Sequence, residues 1–317
     1  MITDFKPAAF KVEKVFKGLT AYLIEQGGDY AVLKAETLKH PGTKSRDDGS
    51  KRGAWLTTHS GESPQVKKSI TIAAEIIAYV TLEQSVAATR PLTSAEVLAT
   101  TLRLPDATEE DALDFARRCV WYLMPCYKSL MNVDKRPFPS SVLNSLKSQP
   151  NAFESLGRVL VCDMFLGNSD RLGKLRREGG GVQTPANAGN IFLTWYPLRF
   201  LCIDFLDTQM SEAPYMGTSW QITRSKLDGQ MGGEAAIYNF DLLHTGRNKQ
   251  RDEAAKWALE AVGNAFNPRV TFNSAAGKAL RSGMRAGRDR LKAFYDGRIG
   301  EDHWPNGLAS RFAACGW

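Results

Sequence analysis

The sequence predicts an α+β chain, with strands gathered in its first third and helices filling most of the remainder. Three observations carry this. Residues 11–34 hold three short segments with strand-like patterning, separated by Gly-containing turns. The windows 69–84 and 151–165 place apolar residues at helical spacing, and so do later windows such as 275–295. The chain has 317 residues, too many for one small core and suited to two lobes around a cleft, divided here as 1–125 and 126–317.

Taken in order, Lys11 to Phe16 alternates charged and apolar residues, as a half-buried strand does. Gly18-Leu19-Thr20-Ala21 reads as a short turn able to face phosphate. Tyr22 to Glu25 is a second strand, and Gly27-Gly28-Asp29 a hairpin turn. Tyr30 to Lys34 is a third strand, with Lys34 at its end. Residues 38–68 are rich in Gly, Ser, Pro and charge and read as a mobile basic loop. Ser69 to Gln84 follows as a helix. Glu75 stands in its most apolar stretch, where an unpaired carboxylate is costly and needs a partner. Lys34 is the expected partner.

Glu109 to Arg118 has a helical pattern, and the apolar run through Met124 then leads into Cys126 and Tyr127. Residues 151–165 form a helix whose expected N-cap is Asn151, with Glu154 three residues on as in a capping box. Gly167 should stop it, leaving Asn168-Ser169-Asp170-Arg171 on the loop just after a buried helix. After a basic, Gly-rich insert, Asn190 opens one apolar strand, Ile191 to Leu193. Asp204 closes the next, Phe200 to Ile203, as in a hairpin with its polar corners together. Gly233 to His244, Lys249 to Phe266 and Ala275 to Tyr295 read as further helices. On the last of these, Arg281, Arg285, Arg288 and Lys292 recur along one face.

An Asp that can orient a hydroxyl, followed by an Asn and a second Asp that can hold a divalent cation, is the set of parts phosphoryl transfer needs. Here those parts are Asp170, Asn190 and Asp204. The segments NSDRL, NAGNI and IDF, with the long insert from Leu172 to Ala186 between the first two, resemble the catalytic segment of the actin-fragmin kinase type of atypical protein kinase. That group has a two-lobed protein-kinase-like fold and is more distantly related to phosphoinositide kinases. The resemblance implies ATP and Mg²⁺ as cofactors and a protein Ser/Thr hydroxyl as acceptor, with actin-like proteins a candidate substrate by analogy.

By the same resemblance Asp170 matches the catalytic Asp, and Asn190 and Asp204 the metal ligands; Arg171 is expected to pair with a nearby carboxylate or carbonyl and lock the loop. The strand Tyr30-Ala31-Val32-Leu33-Lys34 is similar to the Val-Ala-Ile-Lys strand, making Lys34 the phosphate-neutralising Lys and Glu75 its ion-pair partner. Gly18 and Thr20 would face the phosphates, and Met124, Cys126 and Tyr127 would border the adenine. Pro125 has no N–H, so hinge hydrogen bonds would come from Cys126 or Tyr127. The chain departs from the family at Leu206, where the Asp-Phe-Gly motif has Gly, and it carries no GxGxxG.

Composition sets outer limits. Hydrophobic residues at 43% and charged residues at 24% exclude disorder throughout. No apolar run approaches the roughly 18 residues a membrane span needs. The N-terminus lacks a secretory signal, so cytoplasmic synthesis is expected, with secretion into a host cell as an effector left open. Five scattered cysteines and four histidines give no zinc or disulfide pattern. The net charge of +7 favours ATP, acidic protein faces or anionic lipid. The absence of aromatic-basic interleaving disfavours nucleic acid. Two rival readings share the same residues: a kinase-fold nucleotidyl transferase that moves AMP, and a pseudokinase that serves as a binding module.

Overall fold

The strands form because their residues alternate, and the register shows which side each set takes. The computed structural model describes residues 2, 4–17, 21–37, 64–82, 90–105, 107–110, 112–113, 119–127, 130–133, 138–166, 190–203, 274–298, 304 and 306–317. Strands β1 (Lys11–Lys17), β2 (Ala21–Gln26) and β3 (Asp29–Thr37) make an antiparallel meander. Gly27 and Gly28 form the two-residue turn between β2 and β3 with φ of +62° and +87°, values that favour Gly over any residue with a Cβ.

Helix α1 (Pro64–Thr81) comes next, then β4 (Arg90–Pro91), α2 (Ser94–Thr101) and β5 (Cys119–Pro125). The sheet order is β1-β2-β3-β5-β4. Residues 109–110 and 112–113 are helical, as the pattern of 109–118 predicts.

Helix α1 starts five residues before the expected Ser69 and stops three before Gln84, so residues 64–68 belong to it and not to the basic loop. Proline is well suited to a first helical turn, where its missing N–H has no intrahelical role. At the other end Leu82 takes a left-handed conformation, φ +62°, and stops the helix. Helix α2 was not expected, although its start signal is present. Thr93 Oγ1 accepts from Glu96 N at 3.2 Å, and Glu96 Oε2 accepts from Thr93 N at 2.8 Å, a complete capping box.

The later part is a small sheet against helices. It holds β6 (Met131–Asn132), α3 (Ser140–Ser148), α4 (Ala152–Leu166), β7 (Ile191–Trp195), β8 (Leu198–Cys202), α5 (Ala275–Asp296) and α6 (Asn306–Ala314). The second sheet runs β6-β7-β8, all antiparallel. The fold is therefore α+β, with a small antiparallel sheet in the N-terminal region and helices later. Windows 233–244 and 249–266, read as helices from the sequence, lie outside the described residues.

Two buried clusters organise these elements. One joins β2, β3, β5, α2 and the N-terminal Phe5 and Phe10, and contains Tyr22, Ile24, Leu33, Val97 and Trp121. The other joins α1, α3, α4, α5, α6 and the β7–β8 hairpin. Helix α1 sends Ile72, Ala73, Ile76, Ile77 and Val80 into this second cluster. The helix that precedes residue 125 thus shares its core with the C-terminal helices. This does not follow from a division of the sequence at 125.

Helices α4 and α5 approach more closely than side chains ordinarily permit. A Cβ at Gly283 would stand 2.0 Å from Glu154 O, and one at Gly157 would stand 2.2 Å from Leu280 O. Ser155, buried on the other side of α4, accepts from Phe200 N at 3.1 Å and so ties α4 to β8. Glu154 does not complete the expected box with Asn151. Its Oε1 accepts from Ser282 Oγ at 3.4 Å and lies 3.6 Å from Arg158 Nη2, because the tight α5 contact brings Ser282 within reach.

Candidate functional site

Lys34 stands on β3 with Ala21 of β2 and Tyr122 of β5 as its cross-strand partners. Paired residues of an antiparallel sheet share a face, and so do residues two apart. One face therefore carries Ala21, Leu23, Val32, Lys34, Tyr122 and Met124. The opposite face carries Tyr22, Ile24, Ala31, Leu33, Trp121 and Leu123, all within the first buried cluster. Leu23, Val32, Lys34 and Met124 are half-buried, so the face with Lys34 keeps apolar surface accessible beside an ammonium group. Leu23, Val32 and Tyr122 were not singled out from the sequence. Their signal was the period-2 alternation that also placed Lys34.

Met124 is the penultimate residue of β5, and Cys126 and Tyr127 continue directly from it, all half-buried. Burial pushes the Tyr127 phenol up from its ordinary range, and the Arg199 guanidinium on β8 draws it partly back. The segment after β5 reaches β6, a strand of the same sheet as the β7–β8 hairpin, within a few residues.

Asn190 is 6% exposed and stands just before β7. Its backbone carbonyl accepts from Ile203 N at 3.0 Å, extending the ladder by one pair beyond Ile191–Cys202. The next residue in sequence is Asp204, the expected polar corner opposite Asn190, and it lies outside the described residues. Phe192, two residues after Asn190, shares its face and is half-buried, another feature sequence reasoning passed over. Asp170, Arg171 and Asp204 themselves lie outside the described residues, as do Gly18 and Thr20.

Glu75 departs from expectation. Its Oε2 lies 2.7 Å from Arg298 Nη2, so the ion pair it makes is with a residue two past the end of α5 and not with Lys34. The cause is the packing of α1 on α5. Arg290 Nε donates to Tyr79 O at 2.7 Å, and its guanidinium lies 4.3 Å from the Tyr79 ring centroid. Tyr79 also meets Phe294 at 5.5 Å between centroids. These contacts carry α1 along the C-terminal half of α5, where Arg298 lies over the Phe294 ring at 4.6 Å. Oε2 is buried without a donor aligned to it, so the pair is electrostatic and not an aligned hydrogen bond.

Of the α5 basic face, Arg285 is exposed, whereas Arg281, Arg288 and Lys292 are half-buried. Lys292 bonds Asp296 and lies within 6 Å of two rings, those of Tyr295 at 5.7 Å and Trp317 at 5.8 Å. Among the described residues no group of three or more His, Cys, Asp and Glu side chains could hold a metal. No described helix is long and apolar enough to cross a membrane.

Chemically, the start of β7 carries one buried amide, Asn190, an oxygen donor of the kind hard divalent cations take. The face with Lys34 sets an ammonium among Leu23, Val32 and Met124, and the register adds Lys14 of β1, opposite Leu23, to the same face. Comparison with protein-family models, with curated proteins and with solved structures finds no match.

Proposed function

We propose that this chain is an ATP- and Mg²⁺-dependent phosphotransferase with a two-lobed, protein-kinase-like arrangement, acting on Ser or Thr hydroxyls of a protein in the manner of the actin-fragmin kinase type. The observation that carries the reading is the hairpin register, in which Asn190 pairs with the residue before Asp204. Support comes also from the β3 register, which sets Lys34 on the same face as Val32 and Met124.

In this reading Asn190 and Asp204 would hold Mg²⁺, which would supply positive charge against the phosphates. The chain's own residues do the rest. Lys34 binds phosphate. Leu23, Val32 and Met124 cover the base and exclude water, and Cys126 or Tyr127 presents a backbone N–H to its edge. Asp170 orients the acceptor hydroxyl and takes its proton. Catalysis is then mostly positioning and electrostatics. The test is incubation with γ-labelled ATP and a eukaryotic lysate, in parallel with α-labelled ATP. Transfer of γ-label to a protein supports the reading, whereas α-label on the product replaces it with AMP transfer.

One observation favours a second reading. Glu75 pairs with Arg298 and not with Lys34, a departure from the expected ion pair that fits a nucleotide-binding module that transfers nothing. A thermal shift with Mg-ATP, without label transfer to any lysate protein, would select it.

A further inference from the structure

Arg311, on α6, is 2% exposed, an uncommon place for a guanidinium in a core. Its Nη1 donates to Phe165 O at 2.9 Å. Phe165 is the penultimate residue of α4, where carbonyls lack an intrahelical donor, and a cation there also complements the helix dipole. Burial draws the Arg311 pKa down to about 10, still well above neutrality, so the group remains a cation.

The surroundings fix it firmly. Phe312, the next residue, packs at 4.8 Å between ring centroids on each of Phe165, Tyr295 and Trp304. Cys315, one turn further, is buried beside it, and burial pushes its thiol up to about 12. An aromatic cluster alone would hold α6 on α4. A buried charge is costly unless paired and hydrogen-bonded, and its placement on the last turn of α4 therefore calls for a role beyond adhesion.

We propose that Arg311 is a positioning residue. By gripping the last turn of α4, it sets the point from which the chain departs toward Asp170, four residues beyond Leu166 in sequence. This rests on the phosphotransferase reading, in which Asp170 orients the acceptor. Arg311 touches neither nucleotide nor acceptor and acts only through the helix end.

The experiment uses the full chain with Arg311→Met and Arg311→Lys. Methionine fills similar space without charge, and buried ions replaced by apolar groups are often tolerated. Lysine keeps the charge and one donor if methionine fails to fold. Three readouts are taken: thermal unfolding, amide hydrogen exchange along α4, and kcat with KM for ATP. In Arg311→Met, exchange should rise roughly tenfold at residues 162–166 while residues 153–159 stay protected. The kcat should fall by roughly a hundredfold, with KM for ATP nearly unchanged. Arg311→Lys should recover part of both. A uniform rise along α4, unchanged kcat in folded protein, or a loss confined to KM would overturn the proposal. A wild-type chain that transfers no phosphate would overturn the phosphotransferase reading and the catalytic role of Arg311 with it. The exchange contrast would then still show whether Arg311 holds the helix end.

Discussion

Single side chains carry the sharpest tests. Asp170→Ala should abolish γ-phosphate transfer and leave Mg-ATP affinity within a few-fold, because its assigned role is toward the acceptor and not the metal. Label transfer and a nucleotide titration check this, and retained turnover would move the general base elsewhere. Asp204→Asn removes an anionic ligand, so nucleotide affinity should fall at ordinary Mg²⁺ and recover in part when Mg²⁺ is raised. The cysteines offer a test independent of activity. Cys126 is half-buried, whereas Cys162, Cys202 and Cys315 are buried, the last with its thiol raised to about 12. Limited alkylation of the native chain, read by peptide mass, should label Cys126 before those three.

At the scale of elements, the decisive contact is the α4–α5 crossing. Gly157→Ala and Gly283→Ala each place a methyl against backbone at 2.2 Å and 2.0 Å. Backbone cannot turn aside as a side chain can, so each change should cost about 3 kcal/mol or more, measured by denaturant unfolding. Thr93→Ala, which removes only the cap of α2, should cost about 1 kcal/mol. What could be read from the sequence divides along the same line. The strands were legible because alternation and the Gly27-Gly28 turn are local signals; they put Lys34 on the third strand, though not at its end, since β3 runs on to Thr37, and Asn190 at the opening of β7. The cap at Thr93 was equally local and was overlooked. The partner of Glu75 was not legible, since only the packing of α1 on α5 brings Arg298 there. Gly157 and Gly283 were not legible either, because a Gly inside a helix reads as a weakness until its neighbour is known.

For the whole molecule, the two buried clusters do not follow the order of the chain. A fragment of residues 1–125 would carry α1 with Ile72, Ile76, Ile77 and Val80 stripped of their partners on α4 and α5. It should aggregate or bind a hydrophobic dye, and residues 126–317 alone should unfold at lower denaturant than the full chain. Cooperative folding of each half, seen by circular dichroism, would contradict this. Helix α5 has a mechanical consequence. Its 22 residues make a rod about 33 Å long at 1.5 Å per residue. Toward one end it is locked to α4 by backbone contact, and toward the other it is clasped to α1 through Arg290, Phe294 and the following Arg298. A rod fastened at both ends transmits displacement without bending. Any tilt of α1 toward the β3 sheet must therefore either break the Arg298 clasp or shift α4 where Glu154 and Gly157 meet α5.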